Sequence, residues 1–154
     1  LNAELIRMNR PVYLDEASLQ RFLSITYPKA FLPLSLLYDD YLWGVIPHDQ
    51  DHIFPQALFT RSNPIFGGLP PEQQERYLAL RDRIGNLELL MREENIEKSA
   101  TPFDIWLRPR DAGFRSRHLL PADDELLKFE NFEAFIQARE ALIAARLKKP
   151  RRHS

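Results

Sequence analysis

With 154 residues, 44% of them apolar and ten of them Phe, the chain has the length and aromatic content to bury one sizeable core, which excludes a disordered protein. A net charge of −1 provides no global field for nucleic acid, so any such partner must be held by local patches. The lack of cysteine excludes disulfides, thiol nucleophiles and thiolate zinc sites, and it fits a reducing cytoplasm. No apolar run approaches the roughly 18 residues of a membrane span, and no signal peptide opens the chain. The first residue is Leu rather than Met, so a piece of a longer protein is expected.

Twelve prolines mark element ends. Asp15 is placed to cap a helix running to about Thr26, with Leu19, Phe22 and Leu23 inward. KAFLPLSLLYDDYLWG reads as a second helix closed by Gly44, followed by a short strand around Trp43 to Ile46. Residues 60–69 read as a loop, with Asn-Pro and Gly-Gly turn signals. Pro70 or Pro71 suits the first turn of a helix to about Arg83. IGNLELLM has strand length, and REENIEKSA reads as one or two helical turns stopped before Pro102. FDIWLRPRDAGFRSRHLLP reads as irregular and rich in arginine. Asn131 then caps a last helix with Phe132, Phe135, Ile136, Leu142 and Ile143 on one face, and Trp106 reads as packing behind the site.

The stretch PHDQDHIFPQALF, residues 47–59, puts two of the four histidines and two acids within five residues. Asp51 and His52 fall at a strand end, Asn86 in the next strand, and Asn95 and Lys98 on the helix after it. Two strands and a helix bring such residues onto one small surface. There Asp51 and the amide oxygen of Asn95 are hard ligands suited to Mg²⁺ or Mn²⁺, with positions left for water and phosphate oxygens. His52, with an unperturbed pKa of about 6.5, is suited to take a proton from a water aimed at phosphorus. Each residue also has a plain reading: a turn for Asp51-His52, an exposed helix position for Asn95, a salt bridge to Glu94 for Lys98. His48 lies four residues before His52, a spacing that separates the rings by roughly 13 Å on an extended segment, so it reads as a neighbour rather than a zinc partner.

DHIFPQALF followed by IGNLELLMREENIEKS resembles the HNH, or ββα-metal, nucleases. The Asp-His-Ile-x-Pro-Gln opening and the Asn-x₈-Asn-x₂-Lys-Ser spacing are similar to the HNH domain of RNA-guided CRISPR nucleases. The lead-in KAFLPLSLLYDD, the insertion between the motif halves and GNLELL…N…KS…W resemble the C-terminal nuclease domain of GmrSD-like modification-dependent restriction enzymes. The resemblance implies an α+β, mainly helical fold with a small ββα-metal core and flanking helices. It divides the chain into a helical lead-in over 1–40, a nuclease core with an inserted helix over 41–110, and a C-terminal helical segment with a basic tail over 111–154. It implies Asp51 and Asn95 as metal ligands, His52 as general base, Asn86 as a brace for the loop carrying His52, and Lys98 near the phosphate or leaving oxygen. It further implies a bacterial, cytoplasmic restriction or defence protein acting on DNA, modified or not, with an N-terminal NTP-binding domain in the full-length protein. The departure from the pattern is the long insert, residues 57–83.

Arg108, Arg110, Arg115 and Arg117 crowd the segment after the motif. Such a cluster is ordinarily solvated surface, but its place beside a phosphodiester site invites contact with the DNA backbone. The tail RLKKPRRHS is a second basic patch or simply a trailing end. The competing function is a non-catalytic module binding nucleic acid or a partner on the same fold, with RNA as the other substrate to weigh.

Overall fold

The computed structural model describes residues 12–40, 42–99 and 101–148. The fold is mixed α+β and mainly helical, with one two-stranded antiparallel sheet among the described residues. None of the described helices is long and apolar enough to cross a membrane.

Helix α1 (Glu16–Leu23) begins at Asp15, whose carboxylate accepts from the Ser18 N–H at 2.8 Å, and it buries Leu19, Phe22 and Leu23. It stops before Thr26 because the Ser24 hydroxyl donates back to Arg21 O and Thr26 bridges to Arg83. The single helix expected next is two short ones, α2 (Phe31–Ser35) and α3 (Leu42–Val45). Between them the chain leaves helical geometry and buries Leu37 and Tyr38. The strand expected at Trp43 to Ile46 is absent, since Ile46 N–H closes a helical turn onto Leu42 O at 2.7 Å. The strand lies just beyond, β1 (His48–His52).

The expected loop over 60–69 holds a turn of helix, α4 (Pro64–Gly67), capped by Asn63 accepting from the Ile65 N–H at 3.1 Å. Helix α5 (Pro71–Arg81) follows its proline as expected. Asn86 lies in the 3₁₀ turn Ile84–Asn86 that opens β2 (Leu87–Met91), not in the strand. Helix α6 (Arg92–Lys98) follows β2 without a break. The segment expected to be irregular holds α7 (Phe103–Leu107) and α8 (Ala112–Arg117), the latter capped by Asp111 accepting from Phe114 N–H at 2.9 Å. The last helix, α9 (Phe132–Leu147), has no side-chain cap: the Asn131 amide donates to Glu125 O at 2.8 Å instead.

The β1–β2 register pairs His48 with Met91, Gln50 with Leu89, Asp51 with Glu88 and His52 with Leu87. Because side chains alternate along a strand, Asp49, Asp51, Glu88 and Leu90 share one face, and His48, Gln50, His52, Leu87 and Leu89 share the other. Leu90 belongs to a core with Ile53, Phe54, Phe103 and Trp106, whereas Leu87 and Leu89 join Leu19, Phe22, Leu34 and Tyr38 in a second. Phe54 sits at the centre of the first, edge-on to Phe135 at 5.0 Å and to Phe132 at 5.4 Å between ring centroids. Burying side chains of this size contributes about 1.5–3 kcal/mol each. Helix α9 serves both cores, giving Phe132, Phe135 and Ile136 to the first and Ile143 and Leu147 to the second. Its inner face also carries Arg139, fully buried, while Leu142, expected inward, is 37% exposed.

The outer edge of β2 is covered by side chains rather than by a third strand. Tyr38 Oη accepts from the Leu89 N–H at 2.9 Å, and Arg139 donates to Leu87 O at 2.6 Å. A buried strand edge left bare would orphan these backbone groups.

Candidate functional site

Two clusters lie on opposite faces of the β-ribbon. On the α6 face Lys98 is fully buried, and its ammonium donates to Asp51 Oδ2 at 2.8 Å, His52 O at 2.8 Å and Ile53 O at 3.1 Å. An ammonium has three donors, so all are used within the fold. Lys98 therefore ties the end of β1 to α6 and is not presented to a phosphate, the place the sequence suggested for it. One turn earlier, the Asn95 amide nitrogen faces Asp49 Oδ2 at 3.4 Å, and Arg92 reaches Asp49 Oδ1 at 3.3 Å. Asp49 was not singled out from the sequence, although the strand period places it on the face of Asp51.

Asp51 also meets Glu88 across the ladder. With both carboxylates ionised, neither Glu88 oxygen would find a donor. Burial, reinforced by the Asp51 charge, pushes the Glu88 carboxyl well above its ordinary range, which favours the protonated acid at this position. Behind it His118 Nδ1 lies 3.5 Å from Glu88 Oε1 and 2.8 Å from Tyr38 Oη. Burial holds the His118 imidazole neutral, helped by the charges of Arg117 and Arg139. Among the described residues no three His, Cys, Asp or Glu side chains are grouped to hold a metal ion.

On the other face, at the very end of β1, His52 Nε2 lies 2.9 Å from Asp82 Oδ1, and the Tyr27 ring stands 4.8 Å away. Asp82 is the residue that ends α5. Burial would raise its carboxyl, but donors from Arg81, His52 and Gln56 hold it down at about 2. Burial lowers the His52 pKa, against the opposing pull of Asp82. Asn86 is fully buried and ties Phe54 to Arg81. Its Oδ1 accepts from the Phe54 N–H at 2.9 Å, and its Nδ2 donates to Phe54 O at 3.2 Å and Arg81 O at 2.8 Å. His48, on the same face, donates from Nδ1 to Ile46 O at 2.7 Å and takes no part with His52.

Asp51, Asn95 and Lys98 thus share one face of the ribbon, and His52 and Asn86 lie at its end and on the turn beside it. The arginines are mostly spent within the fold. Arg117 pairs with Asp40 at 3.0 Å and lies over Tyr38; Arg115 pairs with Asp124 at 3.0 Å. Arg110 stacks on Trp106, 3.0 Å from the ring centroid, and donates to Trp106 O. Only Arg108 of the four is exposed. The tail beyond Lys148 lies outside the described residues. Compared with protein-family models and with curated proteins, the chain matches none of them.

Proposed function

We propose that the chain is a divalent-metal-dependent DNA endonuclease domain of the HNH, or ββα-metal, kind, serving bacterial restriction or anti-phage defence. The observation that carries this reading is the antiparallel β1–β2 pair running directly into α6, with Asp51, His52, Asn86, Asn95 and Lys98 all on that unit or the turn that opens β2. The resemblance of DHIFPQ and N…N…KS implies two strands followed by a helix, and that order supports the reading, although Asp51 and His52 project to opposite faces of the ribbon.

A carboxylate at Asp51 and a carboxamide at Asn95, with no sulfur, are the donor types a hard ion takes, although Asp51 Oδ2 is seated on the Lys98 ammonium and the Asn95 amide turns to Asp49. Two protein ligands suffice for Mg²⁺ or Mn²⁺, which keeps most of its waters. Bound there, the ion would stabilise negative charge on the departing 3′ oxygen. His52 accepts a proton from the water whose oxygen attacks phosphorus, the P–O3′ bond breaks, and the departing 3′ oxygen takes a proton from a second water, leaving a 5′-phosphate and a 3′-hydroxyl. Asn86 keeps the loop after His52 from moving. Lys98 is a positioning residue that fixes Asp51 and the backbone on either side of it.

The test is plasmid DNA, modified and unmodified, incubated with Mg²⁺, Mn²⁺ or chelator. Nicking or cutting is expected only with metal and is expected to vanish in His52→Ala; undiminished cutting by that variant would overturn the mechanism. The Lys98 ammonium already seated on Asp51 favours a second reading, a binding module that needs no ion. Salt-sensitive DNA binding without metal-dependent cleavage would select it.

A further inference from the structure

We infer that Asp82 is a positioning residue for His52: it holds the imidazole with its proton on Nε2 and leaves the bare Nδ1 as the atom that takes the proton from water. The inference rests on the nuclease reading for its purpose, and on geometry for its content.

The carboxylate Oδ1 stands 2.9 Å from His52 Nε2, and no described residue hydrogen-bonds Nδ1. A carboxylate is acceptor-only, so the shared proton belongs to the ring nitrogen facing it. The neutral imidazole then carries its lone pair on the other nitrogen. Asp82 is itself immobilised. Its Oδ1 also accepts from Gln56 Nε2 at 3.2 Å and Arg81 Nε at 3.2 Å, and its Oδ2 accepts from Arg81 Nη2 at 3.0 Å. Its backbone oxygen takes the Tyr27 N–H at 2.8 Å. The Tyr27 ring, 4.8 Å from that of His52, limits the imidazole from the side.

Asn86 fixes the spacing between the two partners. The same buried amide holds Phe54, two residues after His52, and Arg81, one residue before Asp82. The Ile53 N–H to Asn86 O bond at 2.8 Å adds a third tie. Asp82 comes from the insert over 57–83, which therefore does more than lengthen the loop between the motif halves. It delivers the carboxylate that orients the base, and a role so placed sets ring orientation and not substrate affinity.

Two measurements, one on the chain in chelator and one on the chain with metal, test this. Nitrogen-resolved NMR of the His52 ring is expected to show a protonated Nε2, with a downfield and slowly exchanging proton, and an unprotonated Nδ1. A proton found on Nδ1 overturns the inference, and this needs no variant that could fail to fold. In the cleavage assay Asp82→Ala is expected to lower kcat by about 10–100-fold with KM unchanged, part of the roughly 10²–10⁴-fold that a positioned general base contributes. Asp82→Glu is expected to restore part of the rate, and the downfield proton is expected to be lost in the alanine variant. Unchanged kcat, or a loss confined to KM, overturns the assignment. Should the wild type cleave nothing, the nuclease reading fails, and the ring signals still decide whether Asp82 sets the tautomer.

Discussion

Glu88 is the side chain whose chemistry is most altered by where it sits. It is fully buried between Asp51 on the neighbouring strand and the neutral His118, with Lys98 and Arg139 as the nearest cations. Burial comes first among the causes that raise its carboxyl, and the Asp51 charge second. A group raised in the folded state stabilises the fold below its unfolded pKa of about 4.3, and that contribution is lost as pH rises toward the folded value. Glutamine has the shape of the protonated acid and no charge to bury. Glu88→Gln, measured by denaturant unfolding in chelator, is therefore expected to exceed the wild type in stability at pH 8. Each tenfold in the proton equilibrium that the substitution removes is worth about 1.4 kcal/mol. Below about pH 4 the two proteins are expected to converge. A Gln variant less stable at pH 8 would mean that Glu88 is ionised and paired with Lys98 or Arg139. Nothing in the pattern LELLM marks this position as buried, because the acid stands where alternation alone would place either a solvent-facing or a core residue. Only the register opposite Asp51 settles it.

At the scale of elements, α8 owes its start to one carboxylate. Asp111 accepts from the Phe114 N–H at 2.9 Å, and the helix then presents Arg117 to Asp40 and His118 to Tyr38. Asp111→Ala is expected to cost about 1 kcal/mol in thermal or denaturant unfolding, the usual value for a lost cap. Amide exchange is expected to speed up first at Phe114 and Arg115; no change in either would show that packing alone holds α8. The cap at Asp15 was legible because an apolar stripe follows it, whereas the equal signal at Asp111 is masked by Pro109, Gly113 and four arginines. Arg115 and Arg117 face partners brought in from Asp40, Ala122 and Asp124, so their pairing depends on contacts that local sequence does not carry. Helices α5, α6 and α9 and strand β2 were readable from proline positions and apolar periodicity. Strand β1 was displaced in the reading because HDQDH carries no apolar residue, and only pairing to LELLM makes it a strand. For the site, the order of Asp51, Asn95 and Lys98 along β1 and α6 followed from motif spacing, but the spacing put His52 on the same surface and the strand period turns it to the opposite face. Asp82 did not follow from spacing, because it lies near the far end of an insert whose length spacing rules do not cover.

For the whole molecule, α9 is the element on which both cores depend, and Arg139 is its single charged residue on the buried face. The guanidinium donates to Ile84 O, Gly85 O, Leu87 O and His118 O at 2.6–3.1 Å, so one side chain joins the turn before β2, the outer edge of β2 and the end of α8. Because the same helix places Phe132 and Phe135 in one core and Ile143 and Leu147 in the other, neither core retains its packing once α9 leaves. The described chain is therefore expected to unfold in one transition, with calorimetric and van't Hoff enthalpies equal. Arg139→Met keeps the apolar stem but removes every donor, leaving four buried carbonyls to share whatever water can enter. Each unsatisfied group costs about 1–3 kcal/mol, and partial relaxation spares some of them, so a net loss of roughly 3–5 kcal/mol is expected. The loss is expected to appear as a lower midpoint with the slope of the denaturant transition unchanged, since the area exposed on unfolding stays nearly the same. Two resolved transitions, one for each core, would show that α9 does not couple them. A loss below about 1 kcal/mol would show that the carbonyls are satisfied without the guanidinium.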